Sequence, residues 1–251
     1  MYKRQAGNWN ASWLAIDGGQ VSFLAGRCPI GLEMVLFDLV ADYRQAWLRG
    51  LVVTGWLCLF GCVGGTLIGG VAAFSLKWAP SWAVRAFDTG ALLTQACPAI
   101  VLLYWLHYPL QASLGVVIDP FVTTAALLVS LNAVAVGQIL RAATSQIPFE
   151  LLEVARLCDL SARTTFFTVE LPLSVRYALG PLVSAQVTVL QTSIFGSFIS
   201  VQDVFRVAHQ INAREYRPIE VYSIVALIFI VVCLPLTLAA QHLSRTHVHR
   251  T

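Results

Sequence analysis

Few side chains of this 251-residue chain are of the kinds that carry out bond-making chemistry. Cys97, His107, Asp119 and His209 could supply the nucleophile, base or metal ligands of an intramembrane enzyme. Such groups must meet within hydrogen-bond reach, and no recognisable spacing ties these four residues together. We therefore expect no metal site and no cofactor bound by this chain, and an enzyme is the less favoured interpretation.

The chain also lacks the G-x-x-x-x-G-K-[ST] loop, in which backbone N–H groups and a lysine hold the phosphates of ATP. Its lysines are Lys3 and Lys77 alone, and neither follows such a glycine-rich run. We do not expect this chain to hydrolyse ATP, so any ATP-driven work must come from another chain.

The most informative spacing lies between Glu153 and Pro172. There the chain reads Glu-Val-Ala-Arg-Leu-Cys-Asp, then nine residues, then Val-Glu-Leu-Pro. Ile147-Pro148 is a suitable helix entrance, because proline presets its own φ and its missing N–H costs nothing in the first turn. This pattern predicts a helix with an apolar face made of Leu151, Leu152, Ala155 and Cys158.

A helix of about ten residues is too short to be stable alone, so this one should need a partner or neighbouring helices. At its end the chain must reverse, which commonly requires a left-handed residue. Asp159 stands there, and aspartate enters that conformation more readily than most residues. Ser161 is then a suitable N-cap for a second helix over 162–170.

The composition places these segments in a membrane protein. Of the residues, 57% are hydrophobic and only 12% are charged, and the mean hydropathy is +0.72. Windows without Asp, Glu, Lys or Arg cover 50–76, 89–118, 120–140, 177–202 and 221–244. Each can supply the roughly 20 residues that a spanning helix needs.

These windows predict an all-α polytopic protein with a transmembrane domain over 48–244. The spans are expected at about 50–76, 89–108, 120–140, 178–201 and 221–242, with the polar loop at 141–176. The fourth window is diluted by Gly180, Pro181 and Gln186, so part of it could instead be re-entrant. The tail is 245–251, and Asp88 is interpreted as the cap of a helix start.

Residues 1–47 form the predicted N-terminal segment. From Leu32 onward, apolar residues recur at helical spacing, which indicates an amphipathic helix. It could lie at the membrane surface or pack on a neighbouring subunit, and the pattern favours neither.

Glycines mark one face of the first span. Gly61, Gly65 and Gly69 follow at four-residue intervals, so their missing side chains leave a groove into which another helix can pack closely. Packing is the preferred interpretation over contact with a solute.

Uncharged amides lie inside the other spans. Asn132, Gln138, Gln186 and Gln191 could hydrogen-bond a zwitterionic solute without the energetic cost of an isolated buried charge. The competing interpretation is hydrogen bonding between helices.

The spacing from Glu153 to Pro172 resembles the cytoplasmic coupling loop of ABC importer permeases, E-A-A-x-x-x-G, nine residues, then I-x-L-P. The matching residues are Glu153, Ala155, Leu171 and Pro172, the conservative replacements are Val154 and Val169, and Asp159 replaces the glycine. Because the family uses this loop to dock its ATPase, the resemblance assigns these seven residues to ATPase coupling.

Other segments resemble permeases of polar amino-acid importers, over approximately 42–243. Cys97-Pro98-Ala-Ile-Val-Leu-Leu-Tyr resembles T-P-L-L-V-Q-L, and Arg141 with Ile147-Pro148 resembles R-G-A-I-x-S-I-P. The departures are at polar positions. Gln138 replaces a glutamate, Gln95 an arginine, Gln191 or its neighbour a lysine, and Glu150 a glycine.

The resemblance implies the type I ABC importer permease architecture with five transmembrane helices in a bacterial inner membrane. Its implied partners are a second permease subunit, identical or related, a periplasmic solute-binding protein, and an ATPase that uses ATP and Mg²⁺. The coupling loop would face the cytosol, with the N-terminus outside and the C-terminus inside. The implied cargo is a small polar solute, an amino acid by resemblance, and a non-transporting scaffold subunit is the alternative.

Arginines and lysines support this orientation only in part. Lys77, Arg85 and the arginines of 141–176 would be cytoplasmic, as the positive-inside rule expects. Arg206, Arg214 and Arg217 would lie outside, so the orientation depends mainly on the coupling motif.

Overall fold

The computed structural model describes residues 29–248, and the side chains of 36–155 and 157–243. Predictions for residues 1–28 and 249–251 lie outside the described residues. Within the described range the chain forms helices and no strand. The α-helices are α1 (Pro29–Asp42), α2 (Arg44–Ser75), α3 (Ser81–Ala96), α4 (Ala99–His107), α5 (Pro109–Leu114), α6 (Pro120–Thr144), α7 (Phe149–Leu157), α8 (Ala162–Thr165), α9 (Leu171–Thr192), α10 (Val204–Glu215) and α11 (Pro218–Val248).

Among residues 29–248, four helical stretches are long and apolar enough to cross a membrane: Arg44–Ser75, Pro120–Thr144, Ala162–Ile199 and Pro218–Leu243. A fifth candidate is the pair formed by Ser81–Ala96 and Ala99–Leu114, whose axes differ by 102°. The helices extend beyond the predicted spans. The predicted boundary at residue 47 falls inside α2, and the ends of the 141–176 loop fall inside α6 and α9.

The break in the second span occurs at Cys97 and Pro98. Both residues are extended, with ψ of 132° and 134°. Proline pushes the residue before it away from the helical region, and it has no N–H to continue the helix. The segment predicted as one span over 89–108 is therefore two helices joined at a sharp bend.

The stretch Ala162–Ile199 changes helix type along its length. After α8 the chain forms one turn of π-helix over Phe166–Glu170, then α9, then a 3₁₀-helix over Ser193–Ile199. Pro181 lies inside α9. The run is helical throughout, so this window is long enough to span the membrane.

Close packing of α2 on α6 organises the centre of the bundle. A Cβ added to Gly61 would lie 3.0 Å from Leu128 Cβ. A Cβ added to Gly65 would lie 2.5 Å from Asn132 Cβ, and one added to Gly69 would lie 2.4 Å from the carbonyl oxygen of Ala133. The contacts advance in the same direction along both helices, so α2 and α6 run parallel. The chain between them must return across the bundle, and the bent α3–α4–α5 segment makes that return.

The two ends of the bundle carry different elements. We name the end that carries α7 the α7 end and the opposite one the α10 end. At the α10 end, one apolar cluster joins Leu39, Trp47, Val207 and Val221. The hydroxyl of Tyr43 also donates a hydrogen bond to Glu215 Oε1 at 2.6 Å, which ties the start of α2 to the end of α10.

The sequence left open whether α1 lies at the membrane surface or packs on a neighbouring subunit. This cluster shows that one side of α1 packs within its own chain. Leu39 of α1 is only 4% exposed, and α1 packs within the same chain against α11 and α2. Phe37 is 74% exposed, so the opposite face of α1 is free of the bundle. Local spacing identified an amphipathic helix, but not the surface that covers it.

Asp203 caps α10. Its side chain accepts a hydrogen bond from the backbone N–H of Arg206 at 2.7 Å, and the residue is 1% exposed. Desolvation by this burial raises the pKa of the Asp203 carboxyl to about 7, while the N–H donors of the cap act in the opposite direction.

Substituting Gly65 tests the α2–α6 packing. Because a Cβ at this position would overlap Asn132, Gly65→Ala should lower the free energy of unfolding by about 1–3 kcal/mol. Gly55→Ala is the matched control, since a Cβ there meets nothing within 4 Å. Unfolding by SDS in mixed micelles measures both. Equal stability of the two variants would contradict this packing.

Candidate functional site

The helix α7 lies outside the bundle at the α7 end. Within residues 29–248 it packs extensively on no other helix. Its inward side consists of the buried Ala155 and the half-buried Leu152. Leu151 and Cys158, predicted on the same apolar face, are exposed. Helical spacing identified these apolar residues, but it did not show which of them are covered by the bundle.

The outward side of α7 is apolar with an acidic margin. Val154 is 56% and Leu157 86% exposed, and Glu153 lies exposed beside them. Phe149 at the start of α7 is also exposed. An exposed apolar surface rimmed by a charge is typical of a surface that binds another protein.

Asp159 forms the turn that ends α7. Its φ is 54°, in the left-handed region. The N–H of Leu160 reaches back to the carbonyl of Ala155 at 3.2 Å, and the N–H of Cys158 bonds to Val154 O at 3.0 Å. The bond from Leu160 has the 6→1 pattern of a Schellman motif. Aspartate thus adopts the conformation expected for the glycine of the coupling pattern.

The second half of the motif continues without a gap into α9. Ser161 caps α8, and its Oγ accepts a hydrogen bond from the N–H of Thr164 at 3.2 Å, as predicted. Val169 and Leu171 are half-buried, and Pro172 is exposed in the first turn of α9. Proline is tolerated there because the first N–H groups of a helix have no partner within it.

Phe166 is the apolar anchor of the segment after the turn. It is 4% exposed, and its ring packs edge to face on Phe74 at 5.3 Å and on Trp78 at 4.9 Å. Nearby, Lys77 and Glu170 form an ion pair. Phe74, Phe166, Lys77 and Glu170 line a cavity of about 520 Å³ beneath α7.

A second ion pair attaches α3 to α6. Arg141 binds Asp88, with one nitrogen to oxygen distance of 3.4 Å, and its guanidinium lies 5.6 Å from the ring centre of Phe87. Asp88 lies in the middle of α3, whose first residue is Ser81. The interpretation of Asp88 as a helix cap was therefore wrong, since its partner is 53 residues away.

Two of the four amides predicted for a pathway are together. Asn132 is 2% exposed, and its Nδ2 donates to Gly61 O at 3.0 Å and to Gln186 Oε1 at 3.1 Å. These bonds join α6 to α2 and to α9. Asn132 and Gln186 thus make the hydrogen bonds between helices that the sequence analysis named as the competing interpretation. The Oδ1 of Asn132 is buried and has no hydrogen-bond partner in the described part of the chain.

The other two amides lie elsewhere. Gln138 accepts a hydrogen bond from Gln95 at 2.6 Å, so two of the departures from the family pattern contact each other. Gln191 is exposed on α9, one turn beyond the exposed Thr188 and two turns beyond the exposed Ser184. A cavity of about 260 Å³ lies against the Asn132 and Thr188 side chains.

Three of the four residues considered for enzyme chemistry have structural partners. Asp119 caps α6 by accepting from Phe121 N at 2.8 Å, and His107 contacts Gln111 at 3.2 Å. His209 lies 3.3 Å from the Tyr222 hydroxyl, and Cys97 is exposed at the bend. No group of three metal-ligating side chains occurs among the described residues.

Comparisons by sequence agree with the geometry. A family model described as the inner membrane component of binding-protein-dependent transport systems matches residues 65–247. The glutamine transport system permease of Escherichia coli strain K12 is 27% identical over 213 residues, covering 81% of this chain and 96% of that protein. The L-cystine transport system permease of Bacillus subtilis strain 168 is 29% identical over 172 residues, covering 68% and 70%.

Comparisons by structure show the same fold. A crystal structure of an amino acid ABC transporter with histidines has a TM-score of 0.74 and 23% identity, covering 86% of this chain and 97% of that chain. An inward-facing methionine ABC transporter has a TM-score of 0.66 and 17% identity, covering 82% and 97%.

Substituting Asp159 tests the turn. Valine is branched at Cβ and resists a positive φ, so Asp159→Val should destabilise the end of α7 by about 1–2 kcal/mol. Asp159→Gly is the matched control and should keep the turn. Hydrogen exchange of residues 149–165 should be roughly 5–30 times faster in the valine variant. Unchanged exchange in that variant would exclude a left-handed requirement.

Proposed function

The chain belongs to the family of inner membrane components of binding-protein-dependent transport systems, and on that premise we propose that it is the permease that carries an amino acid through an ABC importer. The observation that carries this proposal is α7, a short helix held outside the bundle with its apolar side exposed. A Schellman turn at Asp159 gives this helix a defined end.

The exposed side of α7 is the docking surface for a separate ATPase. Val154 and Leu157 supply apolar contact, and Glu153 supplies a charge at the margin. ATP and Mg²⁺ would be bound by that ATPase and not by this chain, which has no phosphate-binding loop. Because the turn forms with aspartate in place of glycine, Asp159 gives no support to the alternative of a degenerate scaffold subunit.

The α7 end faces the cytosol in this proposal. Lys77, Arg85 and Arg163 then lie inside, in agreement with the positive-inside rule. The α10 end faces the periplasm, where a solute-binding protein would deliver the cargo. Because the helices alternate in direction, the N-terminus is outside and the C-terminus is in the cytosol.

The solute pathway follows the exposed polar face of α9, which carries Ser184, Thr188 and Gln191. The hydroxyls of Ser184 and Thr188 each donate a hydrogen bond to a backbone carbonyl of α9, at 3.2 Å. The side chain of Gln191, in contrast, is exposed with its amide available. Polar side chains rarely face lipid, so this face should meet water or a second permease subunit. A pathway between two permeases satisfies both conditions.

The neutral lining suits a solute without net charge. Gln95 and Gln138 form an uncharged pair, and the Asn132 amide lies beside the cavity that also borders α9. Amides can hydrogen-bond the ammonium and carboxylate of a zwitterion without placing a formal charge in the membrane. The amino acids named for the related permeases, glutamine and cystine, have this character.

Docking is tested by placing a charge on the exposed side of α7. Val154→Asp should weaken binding of the partner ATPase about tenfold or more, because an unpaired carboxylate in a dry interface costs over about 1.4 kcal/mol. Co-purification in detergent at graded ATPase concentrations measures the change. Ala155 is unsuitable for this test, because it is buried and a larger side chain would disturb α7 itself.

The matched control is Val117→Asp, which changes another exposed valine at the α10 end of the bundle. It should bind the ATPase as the unchanged chain does. Equal binding by the Val154 and Val117 variants would refute docking at α7, and so would a failure of the unchanged chain to bind any ATPase.

The pathway is tested at Gln191. Gln191→Leu should lower amino-acid uptake by roughly fivefold in vesicles that contain the complete importer, which corresponds to one lost hydrogen bond of about 1 kcal/mol. ATPase binding should not change. Gln45→Leu, at an exposed glutamine near the start of α2, is the control. Normal uptake by the Gln191 variant would remove this residue from the pathway.

A further inference from the structure

Lys77 and Glu170 connect two parts of the chain that the coupling pattern does not relate. Lys77 follows the last turn of α2, and Glu170 is the last residue of the π-helical turn before α9. Their side chains form an ion pair across 93 residues of sequence. Glu170 fills the variable position of the Val-Glu-Leu-Pro segment, so the family spacing does not account for this charge.

Burial makes Glu170 depend on Lys77, whose own side chain is 38% exposed. Glu170 is only 9% exposed, and a carboxylate so far from water requires a compensating charge or hydrogen bonds. Lys77 supplies the charge, and its ammonium lies 5.3 Å from the ring centre of Phe166. The nearby Arg141 lines the same cavity but binds Asp88.

We name residues 149–170, which run from α7 to the π-helical turn, the docking segment. The ion pair lies at the end of this segment that meets the spans. Since α7 packs extensively on no other helix of residues 29–248, movement of α7 reaches the spans mainly through its own ends. At the end after the turn, Phe166 packs on Phe74 and Trp78 of the α2 terminus. Lys77 and Glu170 add a polar connection at the same place.

A π-helical turn lies at this junction. One extra residue in the turn over Phe166–Glu170 interrupts the regular bonding between α8 and α9, and such turns are frequent at functional sites. The cavity of about 520 Å³ beneath α7 leaves room for Leu152 to move inward. The cavity thus offers space for this segment to move, beside an ion pair that joins its end to the chain just after α2.

We propose that Lys77 and Glu170 are positioning residues that make α2 follow the movement of the docking segment. Because α2 packs directly on α6 through its glycines, a shift of the α2 end reaches the centre of the bundle. This inference rests on the proposed coupling function, and it adds a second route beside the direct continuation of α8 into α9. Breaking the pair should separate ATP hydrolysis from transport without removing the docking surface.

The test uses the complete importer in vesicles, with ATPase and solute-binding protein present, and measures amino-acid uptake and ATP hydrolysis together. Lys77→Met and Glu170→Gln should each lower the uptake per ATP hydrolysed by at least about fivefold, the lower end of usual coupling between sites. Binding of the ATPase should stay unchanged. Arg85→Gln is the matched control, since the bonds of this nearby cation within the described part of the chain are to Ser81 of its own helix.

Combining the changes distinguishes positioning from general damage. The double variant Lys77→Met with Glu170→Gln should be no worse than either single variant, because the interaction is lost only once. The reversed pair, Lys77→Glu with Glu170→Lys, should regain at least half of the uptake per ATP. Thermal unfolding of each variant in detergent shows whether a fall in the uptake per ATP hydrolysed accompanies a fall in stability.

Three results would overturn the inference. The single variants could keep the full uptake per ATP, their effects could add in the double variant, or the ratio could fall only in step with thermal stability. In each case the unchanged chain still transports, so the proposed function stands. If the unchanged chain with its partners shows no ATP-dependent uptake, the proposed function and this inference both fail.

Discussion

The close contact between α2 and α6 is the constraint on which the remaining structure depends. Glycines at three successive turns of α2 let the backbones approach until no Cβ would fit. Two helices packed in parallel cannot be joined by a short turn, so the chain has to recross the bundle between them. The bent segment α3–α4–α5 makes this crossing, and the break at Pro98 gives it its shape.

The same contact decides where polar groups can be accommodated. Asn132 can donate to the carbonyl of Gly61 because no side chain separates the two helices there. Its second bond, to Gln186, brings α9 into the same cluster. Formally charged pairs lie instead toward the α7 end, where Arg141 meets Asp88 and Lys77 meets Glu170. The polar groups at the centre of the bundle are thus uncharged, and the two ion pairs lie near the place where the docking segment joins the spans.

Local patterns were interpreted correctly where their physical cause is local. The positive φ of Asp159 and the cap by Ser161 follow from the needs of a helix end, which depend on a few adjacent residues. The glycine stripe predicted close packing, though not the partner helix. By contrast, the partner of Asp88, the cover of α1 and the inward side of α7 could not be obtained from spacing. Each depends on a surface contributed by a distant part of the chain.

The sequence by itself therefore determined the class of molecule, the apolar stretches able to span a membrane, and the turn that shapes the docking segment. These properties depend on composition and on neighbours within a few residues. Only the tertiary structure decided that Gln138 meets Gln95, that α1 packs on α11 and α2, and that Lys77 meets Glu170. An ion pair between residues 93 positions apart produces no periodic pattern in the sequence. The two side chains meet only because helices far apart in the chain pack together.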